Sequence, residues 1–181
     1  MNVTVIGTDH KAQWADPTGD FQELLQRLVR EADVKLIAEE AYKLPTTVGF
    51  RVACRANLPW LDFDMDDSER LRAGIYEELN SRPSGPVIKE DGTMAPAESY
   101  LPHADGIREA HWVKRLMRHE INSAVVICGV LHLSPLAARL RNAGCTVKER
   151  NMCEETWYQN KFGRCKIMEE NGRRWFEFPA R

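Results

Sequence analysis

Paired cysteines, long apolar runs and an excess of positive charge are all missing from this 181-residue chain. Each absence closes a class of explanation. The cysteines, Cys54, Cys128, Cys145, Cys153 and Cys165, are odd in number and contain no Cys-x-x-Cys spacing. That argues against a disulfide framework and against a structural zinc site. No apolar run approaches the length needed to cross a bilayer, so no membrane partner is expected. Lys and Arg total 25 against 27 Asp and Glu, for a formal net charge of −2. Neutralising several backbone phosphates requires clustered basic residues, so nucleic acid is not an expected partner either. The opening Met1–Ile6 reads as a strand rather than a leader, which makes the cytoplasm the expected location.

What is present is an alternation of strand-like and helix-like segments, which predicts an α/β domain over 1–181. A mostly parallel sheet is expected, flanked by helices through right-handed crossovers. Asn2–Ile6 is a short apolar strand stopping at Gly7. Asp20, with Glu23 three residues on, has the pattern of a capping box. It opens a helix through Phe21, Leu24, Leu25 and Leu28. Val34–Ala38 is a second strand ending in Glu39 and Glu40. A helix over Thr47–Ala56, a strand over Trp60–Asp64 and a charged helix over Ser68–Leu79 follow. From Ser81 to Gly106, Pro83, Pro86, Pro96 and Pro102 interrupt every period, together with Gly85, Gly92 and Gly106. An irregular insertion of this length is usually a functional loop or lid. Asp91-Gly92 is a hairpin signal within it.

A helix over Ile107–Glu120 then precedes Ala124–Cys128, the clearest strand, apolar throughout as befits a strand covered on both faces. Ser134 and Pro135 have the chemistry of an N-cap and first helical residue, Gly144 that of a helix end. Cys145–Lys148 reads as a last sheet strand. Asn171-Gly172 reads as the turn of a C-terminal hairpin within about 160–179.

In an open parallel sheet, ligands bind beyond the carboxyl ends of the strands. Gly7-Thr8-Asp9-His10 stands at one such end and Gly129-Val130-Leu131-His132 at another. Glu39, Glu40, Asp62 and Asp64 stand at two more. Glycine allows the sharp turn that would aim each imidazole across the sheet edge. Two imidazoles beside carboxylates suit a divalent metal or general acid–base chemistry. Which carboxylate enters the pocket is left open, because a one-residue slip exchanges the faces of a strand. The helix with Arg108-Glu109-x-x-Trp112 adds to the set. Glu109 falls in the middle of the apolar stripe of Trp112, Val113, Leu116 and Met117, where a carboxylate must be paired or coordinating. The bland reading is a buried Arg–Glu pair. His103, His111 and His119 read as surface residues.

These motifs resemble the TraB/TIKI superfamily, which is related to the erythromycin-esterase-like and ChaN-like proteins. Gly7–His10, Glu39-Glu40, Arg108-Glu109 and Gly129–His132 carry the resemblance, scattered over roughly residues 3–150. It implies an α/β core with a pocket at the strand edge. In the TIKI branch it implies a metal-dependent protease, in the esterase branch a catalytic histidine, and in the ChaN-like branch haem binding. The esterase branch has a glutamate two residues before its first histidine. Thr8 stands there here, closer to the TraB and TIKI style.

The expected function is a hydrolase of a polar small-molecule or peptide substrate. His10, His132, Glu109 and Arg108 would be its catalytic residues, Arg108 stabilising developing negative charge. His10, Glu39 and His132 would hold a divalent metal. Gly7, Asp9, Glu40, Asp64 and Gly129 would support them. The alternative is a binding protein for haem or another small ligand in the same pocket, with an imidazole as axial ligand. A homo-oligomer is compatible with either.

Overall fold

A computed structural model describes residues 1–16, 18–41, 46–81, 87–88, 94–95, 101–162, 166–170 and 173–177. Its centre is a five-stranded sheet with every strand parallel. The strands are β1 (Asn2–Thr8), β2 (Ile37–Glu39), β3 (Trp60–Asp62), β6 (Ser123–Gly129) and β7 (Thr146–Asn151), in the spatial order β3-β2-β6-β1-β7. Two short antiparallel pairs lie outside the sheet: β4 (Val87–Ile88) with β5 (Met94–Ala95), and β8 (Lys166–Glu170) with β9 (Arg173–Glu177). The chain is thus an α/β protein.

The helices cover both faces. On one, Phe21, Leu24 and Leu25 of α2 (Asp20–Glu31) and Val48 and Val52 of α3 (Val48–Ala56) pack on Ile6, Ile37, Val125 and Ile127. On the other, Trp112 and Leu116 of α6 (Pro102–Leu116) join Leu136 and Leu140 of α7 (Leu133–Asn142) against Val3, Val5, Ala38 and Val126. Alternate residues of β1, β2 and β6 feed the two cores, and each fully buried aliphatic contributes roughly 1.5–3 kcal/mol. This double coverage explains why Ala124–Cys128 is apolar without alternation. No helix among the described residues is long and apolar enough to cross a membrane.

The connections place the site. After β1 the chain crosses β6 to reach β2; after β6 it crosses β1 to reach β7. The two central strands therefore send their following segments to opposite sides. Their carboxyl ends are the topological switch point of a doubly wound sheet, the place where such sheets bind ligands. Both Gly-x-x-His segments sit there, with Gly7 paired to Cys128 and Thr8 to Gly129.

Several sequence expectations are corrected. Strand β1 runs through Gly7 to Thr8. Gly19, not Asp20, is the N-cap of α2, in the left-handed region at φ 83°, and the Asp16 carboxylate accepts from Gly19 N and Gln22 N. The helix expected over Ser68–Leu79 is two, α4 (Asp67–Arg72) and α5 (Tyr76–Asn80), broken at Gly74 with φ 71°. Helix α6 begins at Pro102, inside the expected insertion, where the proline stands at the first helical position and Gly106 is accommodated within the helix. Helix α7 begins at Leu133, which moves Ser134 and Pro135 into its first turn. Met117 lies off the apolar stripe, 44% exposed. Cys54, Cys128, Cys145 and Cys153 are free thiols. Asp91-Gly92 and Asn171-Gly172 lie outside the described residues, as does most of 82–100.

Candidate functional site

Two consecutive glutamates leave β2 on opposite sides of the sheet, and this single alternation organises the site. Glu40 turns toward the histidines. Its Oε2 accepts from Gly129 N at 2.8 Å and its Oε1 from Arg108 Nη2 at 2.6 Å. Oε1 also lies 3.9 Å from His132 Nε2. Glu39 turns the other way, fully buried, and its Oε2 accepts from Thr47 Oγ1 at 2.5 Å and Trp60 Nε1 at 3.0 Å. The structure therefore does not bring Glu39, an expected metal ligand, to His10 and His132. Glu40 stands in its place.

The two glutamates also differ in charge. Burial pushes the Glu39 carboxyl up to about 7, against the pull of its hydrogen bonds with Thr47 and Trp60. Burial would raise Glu40 as well. Arg108, then His132 and His10, outweigh it and hold that carboxyl well below the ordinary carboxylate range. One strand end thus presents a carboxyl tuned to hold a proton and a carboxylate fixed in its charged form.

Arg108 is fully committed. Nε and Nη2 donate to Asp64, Nη2 also to Glu40, and Nη1 to Asp105 at 3.0 Å and His132 Nε2 at 3.4 Å. A guanidinium has five N–H groups, and these five contacts occupy them all. Asp64 further accepts from Trp112 Nε1 and Arg70 Nη2. Arg108, expected to stabilise a developing anion, contacts Glu40, Asp64 and Asp105 in the structure. Its charge thus lies among three carboxylates. Among the described residues no group of three or more His, Cys, Asp and Glu side chains is arranged to hold a metal.

His132 is only 4% exposed. Its Nδ1 lies 2.9 Å from Glu109 Oε1, and its ring packs edge-on against Trp112 at 4.8 Å between centroids. Facing a carboxylate at Nδ1 and Arg108 at Nε2, the imidazole donates from the first and accepts at the second. Glu109 is fully buried, and its Oε2 accepts from Arg139 Nε at 3.2 Å. The bland reading of a buried Arg–Glu pair finds a different partner, since Glu109 meets Arg139 and His132 while Arg108 meets Glu40, Asp64 and Asp105. Adjacent on the helix, the two residues serve separate partners.

His10 is different. It opens the short helix α1 (His10–Trp14), its side chain is exposed, and its ring stacks on Trp14 at 5.8 Å and 18°. Nδ1 meets Gln13 Oε1 at 2.6 Å. Nε2 lies over Gly129, 3.3 Å from where a Cβ would stand, and Glu40 Oε2 is 3.5 Å from the same point. Gly129 has φ −57° and ψ 137°, which any residue can adopt, so glycine is needed there for space rather than for a turn. Gly7 has a similar reason: a Cβ would stand 2.9 Å from Val130 Cα and from Leu133 Cβ. Asp9, expected beside His10 in a supporting role, accepts from Tyr158 Oη at 3.0 Å.

The histidines thus occupy neighbouring strand ends with Glu40 between them. They do not share an open cavity, because His132 is enclosed and Glu109 lies on its far side. Sequence reading missed Gln13, Asp105 and Arg139. Asp105 was within reach of the helical period, one turn before Arg108 on the same stripe; Gln13 and Arg139 leave no such mark. Comparison with known protein families, with curated proteins and with solved structures found no match to this chain.

Proposed function

We propose that this protein is a hydrolase of a polar small-molecule or peptide substrate, with His10 as its general base and acid. The observation that carries the reading is the exposed His10 imidazole at the carboxyl end of the sheet, anchored through Nδ1, with Nε2 over Gly129, whose N–H is held by the charged Glu40 carboxylate. The motif likeness to the TraB/TIKI superfamily points the same way. In this reading Nε2 takes a proton from water as the water oxygen bonds to the substrate's carbonyl carbon. The carbonyl–heteroatom bond then breaks, and Nε2 returns the proton to the leaving group. Glu40 stabilises the imidazolium formed between these steps, and Arg108 keeps Glu40 ionised and in place.

The test is turnover of a panel of chromogenic carboxylic esters, anilides and phosphoesters by wild type and His10→Ala, with and without added zinc or manganese. General acid–base catalysis contributes about 10²–10⁴-fold. A loss of that order in His10→Ala, independent of added metal, is expected. Equal rates in both proteins would sink the assignment. A second reading, ligand binding without chemistry, draws on the self-satisfied network around Arg108; a Soret band on haem addition that His10→Ala abolishes would favour it.

A further inference from the structure

We infer that Gln13 is a positioning residue that fixes the tautomer of His10, leaving the lone pair on Nε2. The inference rests on the reading of His10 as a proton acceptor, and it adds a residue that neither motif contains. Gln13 is fully buried, three residues after His10 in α1, and its Oε1 lies 2.6 Å from His10 Nδ1. An amide oxygen only accepts, so Nδ1 must carry the hydrogen, and which ring nitrogen is basic follows from the bond the other one makes. A free imidazole favours the opposite form, with hydrogen on Nε2, and that form has no lone pair for a substrate water. Trp14 stacks on the ring and restrains its plane. Gln13 supplies the remaining constraint, rotation about the ring normal.

A second observation separates this role from ordinary packing. The Gln13 amide nitrogen is buried with no hydrogen-bond partner among the described residues. A buried unpaired N–H is costly, so an aliphatic side chain of similar size would serve the fold better. A glutamine that burdens stability while gripping the one exposed imidazole of the site matches the usual trade between stability and function.

The test is ¹⁵N NMR of the histidine side chains in wild type, Gln13→Leu and Gln13→Glu, with His10 assigned by its loss in His10→Ala. Wild type is expected to show Nδ1–H at His10. Gln13→Leu is expected to shift it to mainly Nε2–H, with a melting temperature equal to or above wild type. Gln13→Glu, whose carboxylate also only accepts, is expected to restore Nδ1–H. On any substrate turned over, Gln13→Leu should lower kcat about ten- to a hundredfold with KM little changed, as expected when a general base is held in the wrong tautomer. Nε2–H in wild type overturns the inference, and so does an unchanged tautomer in Gln13→Leu. If the NMR result holds but nothing is hydrolysed, the positioning role stands and the hydrolase reading is what falls.

Discussion

The two histidines share a motif and stand at neighbouring strand ends but not in one environment, and mutating them should separate stability from activity. His132 is enclosed by Glu109, Arg108 and Trp112. His132→Ala would leave the Glu109 carboxylate short of a buried donor and open space beside Trp112. A loss of about 2–4 kcal/mol in urea denaturation is expected. His10 is exposed, so His10→Ala should change stability by less than about 0.5 kcal/mol while lowering any hydrolysis about 10²–10⁴-fold. If the two substitutions destabilise equally, the division into an open and a closed histidine is mistaken. Glu39 and Glu40 divide likewise. The Glu39 carboxyl is raised from 4.5 to about 7 in the fold, so its contribution is fully present below pH 4.5 and is lost as the pH rises through 7. That difference is worth about 3 kcal/mol between the two limits. Glu39→Gln should remove this slope, so that the variant gains on wild type as the pH is raised from 4.5 to 8. Glu40 has the opposite sign. Its carboxyl is lowered by Arg108, so its contribution is present above pH 4.5 and is lost as the pH falls below that value. Glu40→Gln should therefore lose about 3–5 kcal/mol at pH 7 and show less acid sensitivity than wild type.

At the scale of elements, the glycines of the two Gly-x-x-His segments are spacers that let neighbouring chain approach. At Gly7 a Cβ would meet backbone at Val130 as well as the Leu133 side chain, and backbone cannot move aside. Gly7→Ala is expected to cost about 1–3 kcal/mol, the usual range for overpacking. At Gly129 the nearest neighbour is the tip of the exposed His10 ring, which can give way. Gly129→Ala should fold almost as well as wild type and displace the imidazole instead. Thermal melts of the two variants decide this; similar losses would show that the segments are packed alike. Helix α6 repeats the division along its own length. Asp105, Arg108 and Glu109 occupy its first turns and Trp112 and Leu116 its later ones, all buried on one stripe. A single face thus carries both a charge network and a share of the core.

For the molecule as a whole, the doubly wound order accounts for the location of the site. The segments that follow the paired strands β1 and β6 leave in opposite directions, and side chains from the end of β2, from α1 and from α6 converge beside them. The parallel sheet was legible from the sequence because strands covered on both faces must be apolar throughout, as Val125, Val126 and Ile127 are. The helix starts were less legible. The left-handed Gly19 cap is set by a local turn on Asp16, three residues earlier, which the Asp20 capping pattern masked, whereas Gly106 lies beside Arg139, far along the chain.

The sequence alone determined that buried parallel strands would end in two Gly-x-x-His segments with carboxylates close by, since strand period, glycine spacing and residue chemistry are local properties. Only the tertiary structure decided that Glu40 rather than Glu39 faces the imidazoles, that His132 is enclosed while His10 is open, and that Arg108 lies among three carboxylates. Those outcomes turn on register and on partners 24 to 68 residues apart in the chain, as in the Arg108 contacts with His132 and Glu40. Strand register places consecutive side chains on opposite faces, and long-range packing settles which face is wet.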